Sequence, residues 1–178
     1  RPQPRPPSLT ERRAALEAGA DRTGLDLQID LDTTAGALHA AIETVTYWTS
    51  PVVLHGRNQI LAAVPLSRLH EVCIHHVDLD WGYSPDAIDP DAAAWLLRWV
   101  LDRLLDADLP ALRIEGDSLS ADLGPGEGRR RVAGSDARLW AWLSGRLPAS
   151  GVSGADGFQP ALLAGYAYAH LLQRARQR

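Results

Sequence analysis

The sequence predicts an α+β chain, with a mainly helical first part from about Ser8 to Leu105 and a small α/β part after it. Three observations carry this expectation. Apolar residues recur at helical spacing through the first part. Near Pro110 the apolar period changes from about 3.6 residues to about 2. Turn-forming groups, Gly116-Asp117 and Gly124-Pro125-Gly126, then bracket short alternating runs. The Pro- and Asp-rich stretch YSPDAIDPDA separates two expected domains, 1–84 and 85–178.

Hydrophobic residues make up 46% of the 178 positions, enough to bury a core and too many for a disordered chain. The formal net charge of -4 argues against nucleic acid as the main partner. No apolar run approaches the roughly 18 residues of a membrane span, and no secretory pattern opens the chain. The single cysteine, Cys73, excludes an internal disulfide framework and fits a reducing cytoplasm. All 18 basic residues are Arg. The chain has no Met and begins RPQPRPP, which points to a fragment of a longer protein.

Ser8-Leu9-Thr10-Glu11 reads as a helix start, with Ser8 or Thr10 as the cap and the helix running to about Ala18. A longer helix is expected from about Leu25 to Val45. Leu27, Leu31, Leu38, Ile42 and Val45 suit its apolar face, and Asp26, Asp30, Asp32 and Glu43 the other. His39 lies in it. Residues 52–64 read as two extended segments joined by a turn at His55-Gly56-Arg57-Asn58. After the central helix described below, a further helix should span about Pro90 to Leu105. Ala94, Leu97, Val100, Leu101 and Leu104 line one face, flanked by Trp95 and Trp99, a pair suited to stacking on a ligand or to packing between domains. Leu112, Ile114, Leu119, Ala121 and Leu123 then alternate with polar residues as strands, and Arg129 to Ala133 offers a third. GPGEG at 124–128 lacks the Lys of a phosphate-binding loop and reads as a hairpin turn. Ser135 or Asp136 caps a helix through Leu143, ending at Ser144-Gly145-Arg146. A last helix is expected from Phe158 to Gln173, with Leu162, Leu163, Tyr166 and Leu171 inward.

The stretch Pro65 to Tyr83 carries the chemistry. Leu66, Leu69, Val72, Cys73, Val77 and Leu79 recur at helical spacing. Arg68, Glu71, His75 and Asp78 are spaced to share one side of the helix. A carboxylate and an imidazole at i and i+4 can point at the same atom, as when one helix offers two ligands to a divalent metal. The same four residues also suit a purely structural charge network. Cys73 reads as a small buried hydrophobe at an apolar helix position.

The run RLHEVCIHHVDLD resembles the fourth-helix motif of the mycothiol-dependent maleylpyruvate isomerase family, whose first domain is a DinB-like four-helix bundle. Arg68, Glu71, Val72, His75, His76, Val77, Asp78 and Leu79 fit it. The alternating segment followed by VAGSDARLWAWLSGR is similar to the small α/β, sterol-carrier-like C-terminal domain of that family. The resemblance implies a partial DinB-like bundle followed by the sterol-carrier-like domain. It makes Glu71 and His75 metal ligands, with the third ligand a His on an earlier helix that this sequence lacks. It implies a divalent metal of the zinc type and mycothiol, and an isomerase or thiol-transferring activity in an actinobacterial cytoplasm.

On that reading Asp78 orients the thiol cofactor or stands behind the ligands. Arg146 holds a substrate carboxylate by a bidentate pair, and Arg68 does the same or neutralises Glu71. The partners are a small-molecule thiol and an electrophilic substrate, with no nucleic acid and no membrane. Two ligands from one helix do not complete a catalytic zinc site, so His39, His55 or His170 could substitute, or the rest of the site could lie on another piece. A partial bundle also leaves an apolar stripe exposed, which points to a homodimer or a covering segment. The competing reading is a non-catalytic ligand-binding or regulatory module with a degenerate metal site. The metal reading requires Glu71 and His75 to converge on one spot with Asp78 within reach of it.

Overall fold

The computed structural model describes residues 8–54, 57–105 and 107–158. The chain separates into two compact units between Trp48 and Thr49. This division lies upstream of the Pro- and Asp-rich stretch at which the 84/85 boundary is expected, and the central helix packs into the second unit's core.

The first unit holds α1 (Leu9–Gly19) and α2 (Gly24–Glu43). Each begins with a reciprocal capping box. Ser8 Oγ accepts from the Glu11 amide at 3.2 Å, and the Glu11 carboxylate accepts from the Ser8 amide at 2.6 Å. Thr23 and Asp26 repeat the arrangement, and these hydrogen bonds hold the Asp26 carboxyl below its ordinary range. Neither helix has a buried residue. Leu27 and Leu31 of the expected apolar face are exposed, as are Leu25 and Ile29 on the opposite side of α2.

The second unit opens with a hairpin, β1 (Pro51–Leu54) and β2 (Arg57–Ile60), paired from Pro51↔Ile60 to Leu54↔Arg57. The central helix, α3, spans Ala63–Asp78 and is shorter than expected at its end. Asp80 and Gly82 take left-handed φ of 52° and 79°, and this stops the helix. Tyr83 therefore lies beyond α3 and returns to stack on His76, ring centroids 4.4 Å apart. Next, α4 (Pro90–Leu104) starts at Asp89, whose carboxylate caps the Asp91 and Ala92 amides. Its inner face is Ala93, Leu96, Leu97, Val100, Leu101 and Leu104. Trp99 is buried while Trp95 is half exposed, so the two do not form a joint platform.

Strands β3 (Leu112–Glu115), β4 (Ser120–Leu123) and β5 (Arg130–Ala133) form a sheet in the order β4-β3-β5. β3 and β4 are antiparallel, and β5 runs parallel to β3 on its far side. GPGEG is thus a crossover and not a hairpin turn. Alternation alone does not distinguish a strand that pairs with its predecessor from one that crosses over. The sheet's outer face carries cross-strand ion pairs, Arg113–Asp122 at 3.0 Å and Arg131–Glu115 at 2.5 Å. Its inner face, with Leu112, Ile114, Leu123 and Val132 buried, packs with α4 and α5 (Asp136–Leu143) around Trp140 and Trp142. Cys73 and Ile74 of α3 join the same core. The expected helix after Phe158 lies outside the described residues. Among the described residues no helix is long and apolar enough to cross a membrane.

Candidate functional site

Two local features place the candidate residues. On α3, Glu71, His75 and Asp78 follow one another at i, i+4 and i+7, with Asp78 in the last turn. A carboxylate is unfavourable at that negative end of the helix dipole unless a cation meets it. The cation comes from the end of α5. There the Gly145 amide donates to Trp142 O at 3.0 Å and the Arg146 amide to Ala141 O at 2.7 Å. Gly145 takes φ of 74°. This Schellman closure fixes the backbone from which Arg146 projects.

Arg146 meets Asp78 bidentately, Nε to Oδ1 at 3.1 Å and Nη2 to Oδ2 at 2.9 Å. Its Nη1 donates to Ser144 O at 2.8 Å. The two side chains are only 8% and 18% exposed, so solvent screens the pair weakly. Arg146 is therefore committed to Asp78, and a ligand carboxylate at the guanidinium has to share it or displace Asp78.

Glu71 Oε2 lies 3.6 Å from His75 Nε2. Two ligands held about 2.1 Å from one ion at a tetrahedral angle of about 109° are roughly 3.4 Å apart. The observed spacing fits one divalent ion between carboxylate and imidazole. Asp78 Oδ2 lies 3.6 Å from the other ring nitrogen, Nδ1. It thus stands behind the imidazole and not at the spot where Glu71 and Nε2 converge. Among the described residues no group of three or more His, Cys, Asp or Glu is placed to hold a metal ion. His75 is 60% exposed and Glu71 32%, so the converging spot opens to solvent. Arg68 is exposed on α3, and among the described residues no ion pair joins it to Glu71.

The remaining histidines divide by environment. His39 pairs with Glu43 on exposed α2 at 3.4 Å. His55 and His170 lie outside the described residues. His70 is buried, and its Nδ1 accepts from Trp140 Nε1 at 3.0 Å, the rings meeting edge to face. Sequence reasoning passed over this lock, although His70 falls between Leu66, Cys73 and Val77 on the apolar stripe. Cys73 is buried, and burial pushes its thiol up from the ordinary value, partly offset by a hydrogen bond with Tyr83. It is a core residue and not a nucleophile. A separate cavity of about 450 Å³ opens at the starts of α4 and α5, and its lining includes none of Glu71, His75, Asp78 or Arg146.

No family model and no curated protein matches the chain. Its fold matches two solved structures, the crystal structures of the mycothiol-dependent maleylpyruvate isomerase and of a histidine-to-alanine mutant of it. Each match has a TM-score of 0.70 and 21% sequence identity, covering 86% of this chain and 66% of that one. The chain thus shares that enzyme's α+β fold over just under two thirds of its length.

Proposed function

We propose that this chain is the metal-carrying part of a divalent-metal-dependent, mycothiol-dependent isomerase or thiol S-transferase. The observation that carries the reading is the 3.6 Å approach of Glu71 Oε2 to His75 Nε2 within a fold shared with a mycothiol-dependent isomerase. Glu71 and His75 would hold the metal, zinc by preference for this donor set, with a third ligand from outside the pair. When bound, the metal supplies a cationic centre that favours the thiolate over the thiol at neutral pH.

The chain's own residues then orient. Arg146 offers a planar fork to a substrate carboxylate in competition with Asp78. Arg68, exposed on α3, supplies a second cation for the same purpose. Asp78 acts on the thiol cofactor or behind the ligands. The partners are a small-molecule thiol and an electrophile, in a cytoplasmic setting. The exposed leucines of α1 and α2 are covered by a second copy or by further segments of the protein. A second reading, a module with a degenerate site, has its own support: Asp78 and Arg146 already satisfy each other, and no three-residue ligand group occurs among the described residues.

The deciding measurement is elemental analysis and a melting curve on purified wild type, His75→Ala and Arg146→Ala. The metal reading expects stoichiometric metal in wild type, its loss in His75→Ala with little change in melting temperature, and metal retained in Arg146→Ala. Unchanged metal content in His75→Ala, together with a clear fall in melting temperature, would leave only the charge network.

A further inference from the structure

We infer that Asp78 is a positioning residue for His75. It fixes which ring nitrogen carries the proton, and Arg146 fixes Asp78. The inference rests on the metal reading above for its purpose, and on geometry alone for its content. The imidazole of His75 lies between two carboxylates, Glu71 facing Nε2 and Asp78 facing Nδ1, each at 3.6 Å. The two carboxylates differ in freedom. Asp78 is 18% exposed and gripped at both oxygens by Arg146, whose backbone is closed by the Schellman motif and whose third nitrogen is held by Ser144 O. It cannot swing round to join Glu71 as a ligand without giving up both bonds to Arg146. Among the described residues Glu71 has no such restraint, and it is the carboxylate able to follow an ion.

A fixed carboxylate behind Nδ1 accepts the Nδ1 proton and leaves the Nε2 lone pair aimed at the Glu71 side. Ligating histidines are commonly oriented in this way, and loss of the outer partner typically costs about 10–100-fold in metal affinity. The tautomer is set by the hydrogen bond at the non-ligating nitrogen. The inference requires the exposed ring to turn slightly, so that the 3.6 Å approach closes to a hydrogen bond. On this inference Asp78 acts through His75 and not on the thiol.

The test uses the full chain and two readouts. The first needs no metal: long-range ¹H–¹⁵N NMR of the neutral His75 imidazole in Glu71→Ala, where the competing carboxylate is gone. The inference expects the Nδ1–H tautomer there. In Glu71→Ala/Asp78→Ala it expects the Nε2–H form that an unconstrained imidazole prefers. Asp78→Asn, which keeps an oxygen acceptor and nearly the same shape, should keep Nδ1–H in the Glu71→Ala background and serves if the alanine variant folds poorly. The second readout is Co²⁺ titration followed by visible absorption, with Asp78→Ala about 10–100-fold weaker than wild type. An Nε2–H tautomer in Glu71→Ala overturns the inference, as does a wild-type cobalt affinity in Asp78→Ala. If wild type takes up no cobalt while Nδ1–H depends on Asp78, the metal reading falls and the positioning role stands.

Discussion

Replacing Trp140 by Phe keeps one aromatic ring in the core and removes one donor. Trp140 is fully buried and His70 is 2% exposed, so nothing from solvent can replace the 3.0 Å bond between them. The variant strands the His70 Nδ1 acceptor, at about 1–3 kcal/mol for a buried polar atom without its partner. It also empties the space of the lost pyrrole edge. Deleting a whole buried Trp side chain costs about 3–5 kcal/mol, and a phenyl ring retains most of that contact, leaving about 1 kcal/mol for the void. The sum is about 2–4 kcal/mol. For a chain of this length each kcal/mol moves the midpoint by about 2–4 °C, so the melting temperature should fall by about 5–15 °C. Circular dichroism melts and urea titrations measure it, with the urea midpoint shifting and the slope unchanged. His70→Ala and the double variant complete a cycle whose coupling should reach about 1 kcal/mol. A loss below about 0.5 kcal/mol in Trp140→Phe would refute the reasoning, since surface changes alone stay within that range. It would mean that the His70–Trp140 bond contributes little to holding α3 against α5.

Two further outcomes follow from the second unit. Arg138 holds Asp86 bidentately at 2.7 Å, and its hydrogen bonds keep the Asp86 carboxyl below the ordinary range. A depressed carboxylate contributes stability that is present above its unfolded pKa, about 3.9, and is lost as pH falls through the folded value. Arg138→Ala should therefore melt below wild type at neutral pH, with the gap closing in acid; a gap that persists unchanged there would assign the loss to packing and to the Arg138 bond with Gly151 O. Gly124→Ala should fail to fold, because φ is 69° and an added Cβ would sit 2.3 Å from Pro110 O at the crossover between β4 and β5. Soluble protein with a wild-type melting curve would show that this crossover is not tightly constrained.

Much of the local structure was legible in the residues alone. The cap at Ser8, the cap at Ser135 and the change from helical to alternating period each depend on side chains a few positions apart. The convergence of Glu71 and His75 is of the same kind, because one turn of helix separates them whatever the helix packs against. The motif also named the right fold, since RLHEVCIHHVDLD carries its spacing within itself.

What only the tertiary structure decided involves residues far apart in sequence. Arg146 and Asp78 are 68 positions apart, and Trp140 and His70 are 70 apart. Neither pairing leaves a periodic trace. The parallel placement of β5 is likewise a choice between two edges of β3 that alternation leaves equal. Side-chain period reports which face of an element is buried, but it does not report the neighbour that buries it. By itself the sequence determined the helices, the strands and the two candidate ligands on α3. Packing decided that Arg146 is spent on Asp78 and that Asp78 stands behind His75, because a charge in the closing core takes the nearest opposite charge able to satisfy both its oxygens.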